Sequence, residues 1–233
     1  MQNRTQAIVR SEKLRVSRLL AGLFANRVIA FEAREPIGPE TLKEEEARYV
    51  GRAVPKRAAE FAAGRACARR ALAELAIADF ALRVGPDREP LWPQGVTGSI
   101  THTAGFCGVA VARQTEMASL GIDAERRGAV ERRLWREIAT EQELRWLEGL
   151  PPARATDMAS LVFSAKEAFF KCQFPLTREW LSFSDVSVSV ESRLLRLAPS
   201  RRLALQALMP APWTGRYALR GALVVTGFGL PAR

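Results

Sequence analysis

Residues 118–125 alternate in character, and a period of two places Leu120, Ile122 and Ala124 on one face of a strand and Gly121, Asp123 and Glu125 on the other. The apolar face is candidate core. The second face sets two carboxylates side by side, where they repel each other and become tolerable when a divalent cation sits between them. Residues 106–112 alternate as well, so the two runs read as strands meeting in a hairpin-like join near residues 113–116. That join is the candidate boundary between an amino-terminal half, residues 1–114, and a carboxy-terminal half, residues 115–233. After residue 183 the run Ser184-Asp185-Val186-Ser187-Val188-Ser189-Val190 alternates again, and residues 203–209, 217–219 and 223–226 supply further strands to pair with it.

Helical patterning fills the intervals. Residues 40–78 read as helical in two pieces separated by Pro55, the first with an acidic start over residues 39–46. In the second, Phe61, Ala68, Leu72 and Leu75 form a core stripe, with Arg57, Glu60, Arg65 and Arg69 off it. Residues 131–147 predict another helix, Pro151-Pro152 breaks it, and residues 157–172 predict the next. Residues 86–95 are turn chemistry with Trp92 embedded, leading into Gly98-Ser99-Ile100-Thr101-His102-Thr103. The expected class is α+β, two halves each combining helices with a small antiparallel sheet.

Composition narrows the function. No apolar run approaches the roughly 18 to 20 residues of a membrane helix, and the amino-terminal apolar stretch is too short and too late for a secretory signal, so the chain reads as mature protein. Cys67, Cys107 and Cys172 are odd in number and widely spaced, which points away from a disulfide framework or a zinc site and toward a reducing cytoplasm. The net charge of +10 suits anionic partners, whether nucleic acid, phosphorylated small molecules or acidic proteins. Thirty of the 35 basic residues are arginine, a choice that reads as the codon bias of a GC-rich genome, though such bias leaves the basic excess itself unexplained. The five tryptophans are scattered rather than interleaved with a basic stripe, which weakens a nucleic-acid reading.

The single histidine, His102, rules out zinc sites built on two or more histidines. Its company of Ser99, Thr101 and Thr103 is the kind that binds phosphate, although a lone histidine near a strand end is often structural. Ser164 and Glu167 read as a capping box and Glu167 with Lys171 as an i,i+4 ion pair. On one continuous helix, however, Glu167 and Lys171 flank a Phe163/Phe170 stripe and Lys166 emerges on its other side. Carboxylates for a metal and lysines for phosphate oxygens then frame one apolar wall, which suits a magnesium-bound pyrophosphate.

Five blocks in order, 55–65, 88–93, 98–103, Gly121-Ile122-Asp123-Ala124-Glu125 and 163–171, resemble the signature of the Sfp-type 4'-phosphopantetheinyl transferases, in the branch typified by the enterobactin synthetase component D. Ala124 and Thr101 depart mildly from the family pattern, and neither is a proposed ligand. The resemblance implies two similar halves with coenzyme A in the cleft between them, the nucleotide and 3'-phosphate on the amino-terminal side and Mg²⁺ and pyrophosphate on the carboxy-terminal side. It implies that Asp123, Glu125 and Glu167 hold Mg²⁺, that Arg57 and Arg65 hold the 3'-phosphate, and that Arg88, His102 and Ser99 contact phosphates. Lys166 and Lys171 would neutralise the pyrophosphate, with Glu167 the base and Lys171 and His102 assisting.

The implied reaction transfers 4'-phosphopantetheine from coenzyme A to a serine of an acidic apo acyl or peptidyl carrier protein, as in siderophore, polyketide or nonribosomal peptide assembly. Two halves in one chain make a monomer the simpler expectation, with no role for nucleic acid or membrane. A magnesium-dependent phosphohydrolase or nuclease on the same carboxylates, and a basic nucleic-acid-binding module, are the competing readings.

Overall fold

The computed structural model describes residues 13–25 and 27–232; the first twelve residues of the amino-terminal stretch read above as mature protein lie outside them. Strands β1 (Leu14–Val16), β2 (Ile29–Ala33), β3 (Val96–Thr103) and β4 (Phe106–Arg113) form an antiparallel sheet in the order β1-β2-β4-β3. Strands β5 (Met117–Arg126), β6 (Val186–Glu191), β7 (Leu194–Pro199), β8 (Trp213–Arg220) and β9 (Leu223–Pro231) form a second, in the order β5-β9-β8-β7-β6. The class is α+β, as the patterning predicts.

Each sheet is covered by one long helix. Two short helices, α1 (Arg18–Ala21) and α2 (Glu44–Ala47), and the long α3 (Pro55–Ala73) belong to the first sheet's part of the chain. Pro55 sits in the first turn of α3, where its missing N–H costs nothing and its fixed φ suits the helix. The buried face of α3 is made of small residues, Ala62, Ala63, Cys67, Ala68 and Ala71, so the helix lies close on Phe31, Val109 and Val111. In the second part α4 (Trp135–Ile138), α5 (Glu141–Glu148), α6 (Pro152–Thr177) and α7 (Leu205–Leu208) follow in order. Helix α6 packs Leu161, Val162, Ala165 and Phe169 into the core, where Phe169 meets Trp213 at 4.9 Å and Phe228 at 5.7 Å between ring centres.

Several expectations are corrected. β4 and β5 do not pair with each other: β4 bonds to β2 and β3 and β5 to β9, so residues 114–116 carry the chain from one sheet to the other instead of closing a hairpin. Residues 131–147 are not one helix. Thr140 interrupts them, its hydroxyl accepting from Glu143 N and its own N–H donating to the Glu143 carboxylate at 2.6 Å, so a capping box starts α5 afresh. Within residues 203–209 the chain forms α7 (Leu205–Leu208) rather than a strand, and residues 183–185 form a 3-10 turn ahead of β6. Residues 39–41 and 44–47 make only single turns.

Arg65, expected off the core stripe, is buried. Its guanidinium lies over the Phe61 ring at 3.8 Å and its Nε donates to Leu82 O at 3.1 Å, which lets its stem pack while the charge keeps partners.

The strand that carries Asp123 and Glu125 touches both neighbours unusually closely. On one side, the hydroxyls of Ser99 and Thr101 on β3 accept from Ile122 N at 3.1 Å and Ala124 N at 2.9 Å, so the two sheets join edge to edge through side chains. On the other, Gly121 lies beneath α6, where an added Cβ would stand 2.0 Å from Ala168 O and 2.5 Å from Cys172 N. Backbone on both sides leaves no flexible atom to give way. Gly121→Ala should therefore cost about 1–3 kcal/mol or more by overpacking, lowering the thermal midpoint by about 2–10 °C; an unchanged midpoint in a melting experiment would contradict this packing.

Candidate functional site

A cavity of about 670 Å³ opens between the halves, lined by Arg57, Arg65, Arg88 and His102 from one side and Asp123, Glu125, Glu167 and Lys171 from the other. Strand β5 aims Asp123 and Glu125 into it, and α6 adds Glu167 and, one turn on, Lys171. Lys171 Nζ donates to Asp123 Oδ1 at 2.6 Å, and the Thr101 hydroxyl donates to the same oxygen at 3.2 Å. Asp123 Oδ2 is buried with no partner among the described residues. An unsatisfied buried carboxylate oxygen is costly, and one ammonium serves three acids here. Burial, then the Asp123 charge, pushes the Glu125 carboxyl up to about 7 while Lys171 pulls it back. Burial also raises Glu167, opposed by Lys171 and reinforced by Asp123. Burial works against the Lys171 ammonium, but Asp123, Glu167 and Glu125 together hold its pKa above the usual lysine value. Among the described residues no group of three or more His, Cys, Asp or Glu is already gathered into a metal-holding arrangement. The donor set and its orphan oxygen nevertheless fit a hard cation.

The opposite wall is cationic. Arg57 Nη1 lies 2.7 Å from His102 Nε2, and because arginine can only donate, that nitrogen accepts and the ring proton sits on Nδ1, facing Glu60 at 3.7 Å. Burial, with Arg57 adding to it against Glu60, holds His102 below the ordinary imidazole pKa. Arg65 follows Arg57 by eight residues, about 12 Å along α3; burial pulls its guanidinium down to about 10, with Glu46 opposing. Arg88 is exposed at the tip of the 85–89 turn with φ of +67°. Phe163 and Phe170 form the apolar wall between the charged groups.

A family model described as 4'-phosphopantetheinyl transferase N-terminal domain matches residues 45–112, and one described as 4'-phosphopantetheinyl transferase superfamily matches residues 119–203. The chain is 40% identical over 199 residues to 4'-phosphopantetheinyl transferase Svp of Streptomyces mobaraensis, covering 81% of this chain and 78% of that protein. The chain belongs to the 4'-phosphopantetheinyl transferases. It is 37% identical over 174 residues to 4'-phosphopantetheinyl transferase PptT of Mycobacterium tuberculosis, covering 75% and 76% of the two chains. Enterobactin synthase component D of Salmonella typhi is 34% identical over 122 residues, half of this chain and 48% of that protein.

Within the transferase the cleft gathers nine of the ten residues singled out from the sequence, and Lys166 is the exception. Its side chain leaves the far flank of α6 into the interior, where Nζ donates to Glu143 Oε2 at 2.7 Å, Ile138 O at 2.9 Å and Phe183 O at 2.7 Å. Glu143 also accepts from Thr140 N and Val188 N, so this buried pair ties α4, α5, α6 and β6 together. The expected phosphate contact is replaced by a structural one, because the helical rotation between Lys166 and Glu167 turns Lys166 away from the cleft. Ser99 does line the cleft, but its hydroxyl also holds Ile122 N. Thr101, Glu89 and Arg178 reach the site without having been singled out as ligands. The alternation of Ser99 and Thr101 along β3 was the signal available for Thr101; Glu89 and Arg178 lie 89 positions apart and carry none.

Lys166→Met strips the buried Glu143 of its cationic partner, which should cost about 3–5 kcal/mol of stability in denaturant unfolding; a mutant of native stability with only a raised KM for coenzyme A would restore the ligand role. The Glu125 pKa gives a second expectation. Its folded value of about 7 lies above the unfolded value of 4.5, so its contribution is fully present below pH 4.5 and is lost as pH rises through about 7. In metal-free buffer Glu125→Gln should flatten the loss of stability between pH 5 and 7, and an identical pH slope in mutant and parent would refute the shift.

Proposed function

We propose that this transferase moves 4'-phosphopantetheine from coenzyme A to a serine of an acidic apo acyl or peptidyl carrier protein, releasing 3',5'-ADP. What carries the reading is the polarity of the cleft, with Arg57, Arg65, Arg88 and His102 facing Asp123, Glu125, Glu167 and Lys171 across one cavity. The cationic wall suits the 3'-phosphate and nucleotide phosphates, and Phe163 and Phe170 suit the apolar part of the pantetheine arm. Asp123, Glu125 and Glu167 are the residues to hold Mg²⁺, which would supply charge neutralisation to the pyrophosphate when bound.

The serine Oγ attacks the β-phosphorus, the bond from that phosphorus to the bridging oxygen breaks, and the electron pair leaves with 3',5'-ADP. Lys171 stabilises negative charge building on the pyrophosphate. Glu167 takes the serine proton; its burial-raised pKa suits that duty, and coordination to a cation would lower it. The hydrolase and nucleic-acid readings draw no support from the relatives. The net charge of +10 favours encounter with an acidic carrier. A reducing cytoplasm accords with three cysteines that are free and buried, and two halves in one chain make a monomer the simpler expectation.

The test is incubation with coenzyme A, Mg²⁺ and an apo carrier protein, followed by intact mass measurement of the carrier. A phosphopantetheine adduct is expected, and its absence with several carriers would overturn the reading. Glu167→Gln should fold normally and lose about 10²-fold or more in turnover, whereas near-parental transfer would remove Glu167 from the chemistry. Raising salt should slow transfer chiefly through the KM for the carrier; a salt-insensitive KM would argue against electrostatic steering.

A further inference from the structure

The carboxy-terminal end of α6 reaches across the cleft. Arg178 ends the helix in the left-handed conformation, φ 54° and ψ 17°, with its N–H on Phe174 O, and this turn directs its side chain toward the other half. There Arg178 Nη1 donates to Glu89 Oε1 at 2.6 Å and lies 3.5 Å from Asp87 Oδ2. Glu89 is the internal brace of the 85–89 turn: its second oxygen accepts from Asp87 N at 3.0 Å, while the backbone closes through Gly85 N to Glu89 O at 2.8 Å. Arg88 stands at the tip between these two acids, in the left-handed backbone region that non-glycine residues adopt uncommonly. Glu89, Arg88 and Arg178 all line the cleft.

We propose that Glu89 and Arg178 are a pair of positioning residues that span the cleft mouth and set how Arg88 meets the phosphates of coenzyme A; this rests on the function proposed above. The hydroxyl joints at Ser99 and Thr101 fix the floor of the cleft, and the Glu89–Arg178 bridge fixes its rim. Between them they hold Arg88 and the Asp123–Lys171 pair at one separation, so that both can act on one bound molecule.

Two acids beside an anion-binding arginine make sense as braces, since as ligands they would repel the substrate. That gives the proposal a sign that simple electrostatics reverses. Glu89→Gln removes a negative charge from an anion site, which on charge alone tightens coenzyme A. As a positioning change it weakens binding, because Arg178 and Asp87 N donate to different carboxylate oxygens and glutamine replaces one of these acceptors with a donor NH2.

The experiment measures coenzyme A binding by calorimetry and its KM in the transfer assay for the parent, Glu89→Gln, Arg178→Gln and the double variant. Arg178 is more than half exposed, so each single change should weaken coenzyme A only about two- to fivefold, with the double no worse than either single and the carrier KM unchanged. Arg178→Lys should recover part of the loss. Tighter binding by Glu89→Gln, additive losses in the double variant, or a carrier KM that rises in parallel would overturn the positioning role. A parent protein that binds no coenzyme A would instead remove the functional reading beneath it, a result visible before any variant is compared.

Discussion

The cleft depends on how the free edge of β5 is satisfied. A strand edge presents backbone N–H groups that need partners, and here Ser99 and Thr101 supply hydroxyls where another strand would supply carbonyls. Because these bonds fall on Ile122 and Ala124, they fix the register in which Asp123 emerges, and Thr101 also donates to Asp123 itself. Gly121 fixes the other side by admitting the α6 backbone at a separation that a Cβ would forbid. Sheet, helix and opposite half therefore meet within three residues of Asp123.

That closeness has an electrostatic consequence. Asp123, Glu125 and Glu167 are brought together with Lys171 as their nearby cation, leaving Asp123 Oδ2 without a partner and the two glutamates raised above ordinary carboxylate pKa values. A site that disfavours its own ionisation is poised to accept positive charge. The facing wall has the opposite character, with Arg57 and His102 holding each other in place. One molecule carrying phosphates along its length and a cation at its pyrophosphate would satisfy both walls, which is the physical basis of the proposed coenzyme A site.

Much of this was legible in the sequence. The alternation around Asp123 and the i,i+4 spacing of Glu167 and Lys171 are local patterns, and local geometry carries them into place. What failed was whatever depended on distant partners. Lys166 offers the same chemistry as Lys171 but faces Glu143, from a helix that the sequence runs together with its neighbour. Residues 106–124 alternate like a hairpin, yet the strands bond to different sheets, because pairing is decided by β2, β3 and β9 rather than by the short join. Arg65 looks like a surface arginine until Phe61 and Leu82 O account for its burial.

The most direct measurement is a crystal structure with coenzyme A and Mn²⁺ as an anomalous stand-in for Mg²⁺. The account predicts an anomalous peak beside Asp123, Glu125 and Glu167 with coenzyme A in the cleft, and Lys166 still on Glu143. Coenzyme A bound in the cleft with no metal at Asp123, or with the metal held elsewhere, would contradict it.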